Sequence, residues 1–76
     1  MEMGIQPLDQ LLGRLGLQNS ALVSHSKEQL THKVVAKGRK GRRLALKAQL
    51  KILHALNACQ SEVVYQLSDL FNYKAS

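Results

Sequence analysis

The sequence predicts an all-α domain of five helices, and three observations carry that expectation. Apolar residues recur at intervals of three and four in several segments, the spacing that gathers them on one side of a helix. No segment alternates apolar and polar residues for long enough to form a strand. Gly, Asn, Ser and the single proline fall mainly between the periodic segments, where they start and stop helices. At 76 residues the chain is one small domain, near the size where a single core only just stabilises a monomer.

Residues 1–6 carry no pattern and are expected to fray. Pro7 suits the first position of a helix because it lacks the N–H that would go unbonded there. Leu8, Leu11, Leu12 and Leu15 then form one apolar stripe, and Gly16 stops the helix. Asn19 or Ser20 is placed to cap a short second helix around Leu22 and Val23. It runs out in Ser24, His25 and Ser26, residues that favour caps and turns. A third helix is predicted over residues 31–40, with Thr31 as its cap and Gly41 as its stop.

Gly38 lies inside that third helix at a cost of about 1 kcal/mol relative to Ala, which points to close approach by a neighbouring helix. Leu46, Leu50, Ile52, Leu53 and Leu56 predict a fourth helix over residues 46–58, with Asn57 able to end it. Ser61 and Glu62 are placed to start a fifth, whose stripe is Val63, Val64, Leu67, Leu70 and Phe71. Residues 73–76 trail off.

The net charge is +6, and its placement is more informative than its size. Nine of the eleven Lys and Arg residues lie within residues 27–51, with Glu28 the only acid among them. Wound as a helix, the third segment puts His32, Lys33, Ala36, Lys37 and Lys40 on one side. Leu30, Thr31, Val34, Val35 and Gly38 fall on the other. Such segregation opposes folding by self-repulsion and favours a polyanionic partner. The aromatics, Tyr65, Phe71 and Tyr73, all lie away from the basic stretch, which argues against stacking on single strands.

Catalysis and metal binding find little support. His25, His32 and His54 stand with one cysteine and no close carboxylate set, a poor metal framework. Ser20, Ser24, Ser26 and Thr31 lack a visible acid partner or oxyanion framework for nucleophilic chemistry. A chain this short also has little room to surround a substrate, so neither an enzyme nor a cofactor is expected. Cys59 reads as a small core residue, and a lone cysteine excludes an internal disulfide. No apolar run is long enough to span a membrane, and the N-terminus lacks a signal-peptide pattern. A reducing cytoplasm is the expected location, from the single cysteine.

In the order of its elements the chain resembles the helix-turn-helix domains of the phage lambda repressor and Cro family, the Xre type. Gly16, Leu17, Leu22 and Val23 resemble the family's opening to helix two. Leu30, Val35, Gly38, Gly41, Arg42 and Arg43 resemble its third helix. Leu50, Lys51, Ile52, Leu53, Ala55 and Leu56 resemble the fourth, and Leu67, Leu70 and Phe71 the closing helix. The likeness covers residues 7–72 and is one of pattern more than of identity. The interval between Val23 and Leu30 is longer than the family's, and Gly38 stands where the family commonly has a larger apolar residue.

The resemblance implies a compact five-helix domain that binds double-stranded DNA as a transcriptional regulator, most simply a repressor. It implies that His32, Lys33, Val34 and Lys37 face the major groove, with Asn19 at the start of helix two also reaching the DNA. Lys can donate to guanine O6 and N7, and Val34 can meet a thymine methyl. Lys27, Arg39, Lys40, Arg42, Arg43 and Lys47 are the expected phosphate contacts, which fix register without reading sequence. A homodimer is expected through Val64, Leu67 and Phe71 on the fifth helix. The competing expectations are an RNA- or ribosome-binding basic module, and an antitoxin-like autoregulator with a protein partner.

Overall fold

A computed structural model describes residues 4–60 and 62–73. It contains five α-helices in a compact arrangement, and among the described residues there is no strand. They are α1 (Pro7–Leu15), α2 (Asn19–His25), α3 (His32–Lys40), α4 (Leu46–Cys59) and α5 (Leu67–Leu70). The all-α class, the helix count and the order are as the sequence predicts.

α1 begins on Pro7 and ends in Gly16, whose left-handed φ of 69° lets the chain turn back. There the Leu17 N–H donates to the Leu12 carbonyl at 2.9 Å, satisfying one of the last helical carbonyls. Leu8, Leu11 and Leu12 are its buried side. α2 turns Leu22 inward and packs on α3 and α4. α4 carries the centre of the core with Ile52, Leu53, Ala55 and Leu56. α1 lies against α3 and α5, and α4 also touches α3 and α5.

At both ends of the described residues the structure departs from the sequence expectation. Gln6 does not fray: it is fully buried, and its N–H donates to the Arg39 carbonyl at 3.1 Å. Its side-chain oxygen accepts from the Asn72 N–H at 2.8 Å, so the beginning of the domain is tied to its end. Tyr73 is likewise held, through its hydroxyl. Residues 1–3 and 74–76, expected to be loose, lie outside the described residues.

The fifth helix is shorter than its stripe suggests. Ser61 lies outside the described residues, Glu62 to Gln66 are non-helical, and only Leu67–Leu70 is α-helical. The reason lies in α4. Asn57 does not end that helix, which continues to Cys59. Instead its side-chain oxygen accepts from the Tyr65 N–H at 2.9 Å, and its amide donates to the Tyr65 carbonyl at 3.2 Å. A side chain that occupies both backbone groups of one residue competes with the helix those groups would build. Val63 and Val64, β-branched and weak helix formers, are left outside the core at 49% and 81% exposure.

Candidate nucleic-acid interface

α3 is defined at both ends by its own sequence. The Thr31 hydroxyl accepts from the Val34 N–H at 3.2 Å, a cap that satisfies one of the first unpaired donors. Gly41 closes the helix at a φ of 92°, and the Arg42 N–H returns to the Lys37 carbonyl at 3.0 Å. Any Cβ at Gly41 would collide with the Gly4 carbonyl, so glycine is needed there both for its φ and for its size.

Val35 and Gly38 are the buried positions of α3. A Cβ on Gly38 would lie 3.1 Å from Ile52 Cδ1, 3.2 Å from Leu44 Cδ1 and 3.5 Å from Phe71 Cε1. The absent side chain is therefore what lets α3 settle onto α4 and the chain end, the close approach that its propensity cost predicts.

The opposite side of α3 faces outward. His32, Lys33 and Lys40 are exposed, while Ala36 and Lys37 are half-buried. Val34 is also half-buried and packs against the core, so it lies at the edge of this face. Lys37, Arg39 and Lys40 occupy the last turn, where cations meet the negative end of the helix dipole and each contributes about 0.3–1 kcal/mol. Part of the charge thus has a local reason.

Arg39 is positioned differently from the phosphate contact expected of it. Its Nε donates to Asp9 Oδ1 at 2.6 Å and its Nη1 to Asn19 Oδ1 at 2.8 Å. With its side chain only 26% exposed, it ties α1 and the start of α2 to α3. The same bond takes up the Asn19 side-chain oxygen, leaving its amide as the part that could meet a ligand. Two shallow clefts adjoin this junction. One, about 400 Å³, is lined by Leu17, Gln18, Asn19, Ser20, His32 and Arg39. The other, about 220 Å³, is lined by Asp9, Asn19, Ala36, Arg39 and Lys40.

Beyond α3 the chain turns a basic corner. Arg42, Arg43 and Lys47 are all exposed, next in sequence to Lys40. Tyr73 braces this corner. Its hydroxyl accepts from the Leu44 N–H at 2.9 Å and donates to the Arg42 carbonyl at 3.2 Å. The Arg43 guanidinium stands 5.8 Å from the centre of its ring, a cation–π distance.

Lys27 does not join this group. It lines a separate cleft with His25, Glu28, His54, Asn57 and Ala58, between the end of α2 and α4. There Glu28 Oε1 pairs with His54 Nδ1 at 2.9 Å. The dimer surface also needs correction. Phe71 is 4% exposed and belongs to the core, because it fills the space above Gly38. Leu67 is half-buried, and Val64 alone of the three is exposed.

Asp9, Gln6 and Tyr73 are the contributors that sequence reasoning missed. Each acts across a long separation, through a bond between elements whose relative rotation periodicity does not give. Cys59 is half-buried with its Sγ 3.4 Å from the Ala21 carbonyl, and burial pushes its thiol pKa up. Among the described residues no three His, Cys, Asp or Glu side chains gather where a metal ion could sit. Nor, among them, is any helix long and apolar enough to cross a membrane.

Comparison of the chain with protein-family models, curated proteins and solved structures found no match. The likeness to the lambda repressor family therefore rests on residue pattern and helix order. One feature stands apart from a tight helix-turn-helix: the connection between α2 and α3, residues 26–31, is longer than the roughly 3–4 residues of such turns. It is ordered by Ser26, whose hydroxyl donates to the Glu28 carbonyl at 2.9 Å and accepts from the Glu28 N–H at 3.1 Å. Leu30 anchors it in the core.

Proposed function

We propose that the chain is a sequence-specific double-stranded DNA-binding protein of the lambda repressor-like type. In this reading it regulates transcription by occupying an operator, most simply as a repressor at the bacterial nucleoid. The observation that carries the reading is the division of α3: its apolar side is spent on the core, while His32, Lys33 and Lys40 are exposed on the other. An α-helix with its side chains is about 10–12 Å across, matched to a B-form major groove about 12 Å wide.

In that pose His32, Lys33 and Lys37 meet base edges, with the Asn19 amide at the margin. Lys40, Arg42, Arg43 and Lys47 neutralise phosphates. Arg39 acts from behind, fixing α2 against α3. A homodimer placing two copies of α3 about 34 Å apart would read a palindrome. With Phe71 buried, its contact would draw on Val63, Val64 and the exposed edge of Leu67. The major groove of A-form RNA is too narrow to admit side chains, so duplex DNA is favoured over structured RNA.

The test is fluorescence anisotropy with a labelled random duplex across a salt series, competed by structured RNA. The wild-type chain should bind, and the plot of log affinity against log salt should be linear. Replacing Arg42 and Arg43 together by Ala should flatten that slope by up to about 0.9 for each phosphate no longer neutralised. No binding at low salt, or stronger competition from RNA than from DNA, would overturn the reading.

A further inference from the structure

We infer that Tyr73 is a positioning residue for the basic corner, holding Arg42 and Arg43 in the arrangement that meets phosphate. The inference rests on the DNA-binding reading and adds to it a residue from the far end of the chain. Residues 41–45 connect α3 to α4 and carry two adjacent arginines. Gly41 and Leu44 are packed at its two ends, but without a further tie the Arg42–Arg43 stretch between them would sample more conformations, and ordering it on binding would lower affinity.

The tail removes that cost beforehand. The Tyr73 hydroxyl bonds backbone groups of residues 42 and 44 at once. The ring beneath the Arg43 guanidinium restricts that side chain as well. The brace is itself anchored. Tyr73 meets the Phe71 ring edge-on with centroids 5.9 Å apart, Phe71 is buried over Gly38, and the Asn72 N–H is held by Gln6. Three consecutive residues of the tail therefore engage the core, the N-terminal segment and the corner in turn.

Tyr73→Phe keeps the ring and removes only the hydroxyl. Its affinity for a random duplex should fall about two- to tenfold, the loss expected for ordering one segment on binding. The salt slope should stay unchanged, because the same phosphates are met in the end. Hydrogen exchange of the Leu44 amide should quicken in the unbound variant. A merely stabilising tyrosine would leave the affinity of the folded fraction untouched. Equal affinity of wild type and a folded Tyr73→Phe, or a Leu44 amide no better protected in the wild type, would overturn this role alone. A wild type that binds no duplex at low salt would overturn the DNA-binding reading and this role with it.

Discussion

Gly38 shows how much one missing side chain decides. Replacing it with Ala gains about 1 kcal/mol of helix propensity. The new methyl must then share space with Ile52 Cδ1 and Leu44 Cδ1 at 3.1 and 3.2 Å. Both neighbours are buried and have little freedom to yield, and overpacking a core costs about 1–3 kcal/mol. Gly38→Ala should therefore be destabilising by about 1 kcal/mol net, and Gly38→Val by more, measured by urea unfolding. A stabilised Gly38→Ala would mean that α3 sits further from α4 than these distances imply. This glycine was legible in the sequence, because it breaks a helical pattern at a known cost. The Asp9–Arg39–Asn19 contact was not: its members come from three helices, and a stripe on each helix leaves open which polar edges meet. Gln49 was also hidden. It is 2% exposed on α4, and its amide nitrogen has no partner among the described residues. A buried unpaired donor costs about 1–3 kcal/mol, so Gln49→Met, similar in volume and apolar, should raise stability by about 1 kcal/mol. A loss would show that the amide is satisfied.

Among the elements, α3 is the one whose presentation depends most on its ends. Thr31 supplies the only side-chain cap found among α1 to α4. Thr31→Ala should cost about 1 kcal/mol of stability, read by thermal or urea unfolding. Full retention would mean that packing alone fixes the helix start. The boundaries of α1 and α3 follow directly from proline, threonine and glycine placed where the backbone needs them. α5 escapes that logic. Its stripe counted Val63 and Val64 as helical, whereas Asn57, eight residues upstream of Tyr65, holds the backbone there in a non-helical path. A local rule read along the chain cannot register a side chain that reaches in from another helix.

For the whole molecule, the residue that completes the core is Phe71. A single core in a domain this small supplies only about 3–5 kcal/mol of stability, and truncating a buried phenylalanine typically removes about 3–5 kcal/mol. Phe71→Ala should therefore leave the domain marginal or unfolded at room temperature, as circular dichroism would report. A variant of near-normal stability would place Phe71 on the surface, where the dimer expectation had it. The architecture was legible because the stripes of α1 and α4 are long enough to declare themselves and the cap and stop of α3 mark its ends. The closure of the two chain ends was not, since Gln6 and Tyr73 carry no periodic signal and act only once the helices are in place.

That closure has a consequence for the moment of synthesis. Gln6 waits for Asn72, Gly38 for Phe71, and the peptide at Leu44 for the phenol of Tyr73. A nascent chain halted before those residues carries its arginines and lysines on an unfinished scaffold, beside the most abundant polyanion in the cell, the ribosome that is making it. Until Phe71, Asn72 and Tyr73 have joined the helices that precede them, the cationic surface lacks the contacts that fix its shape.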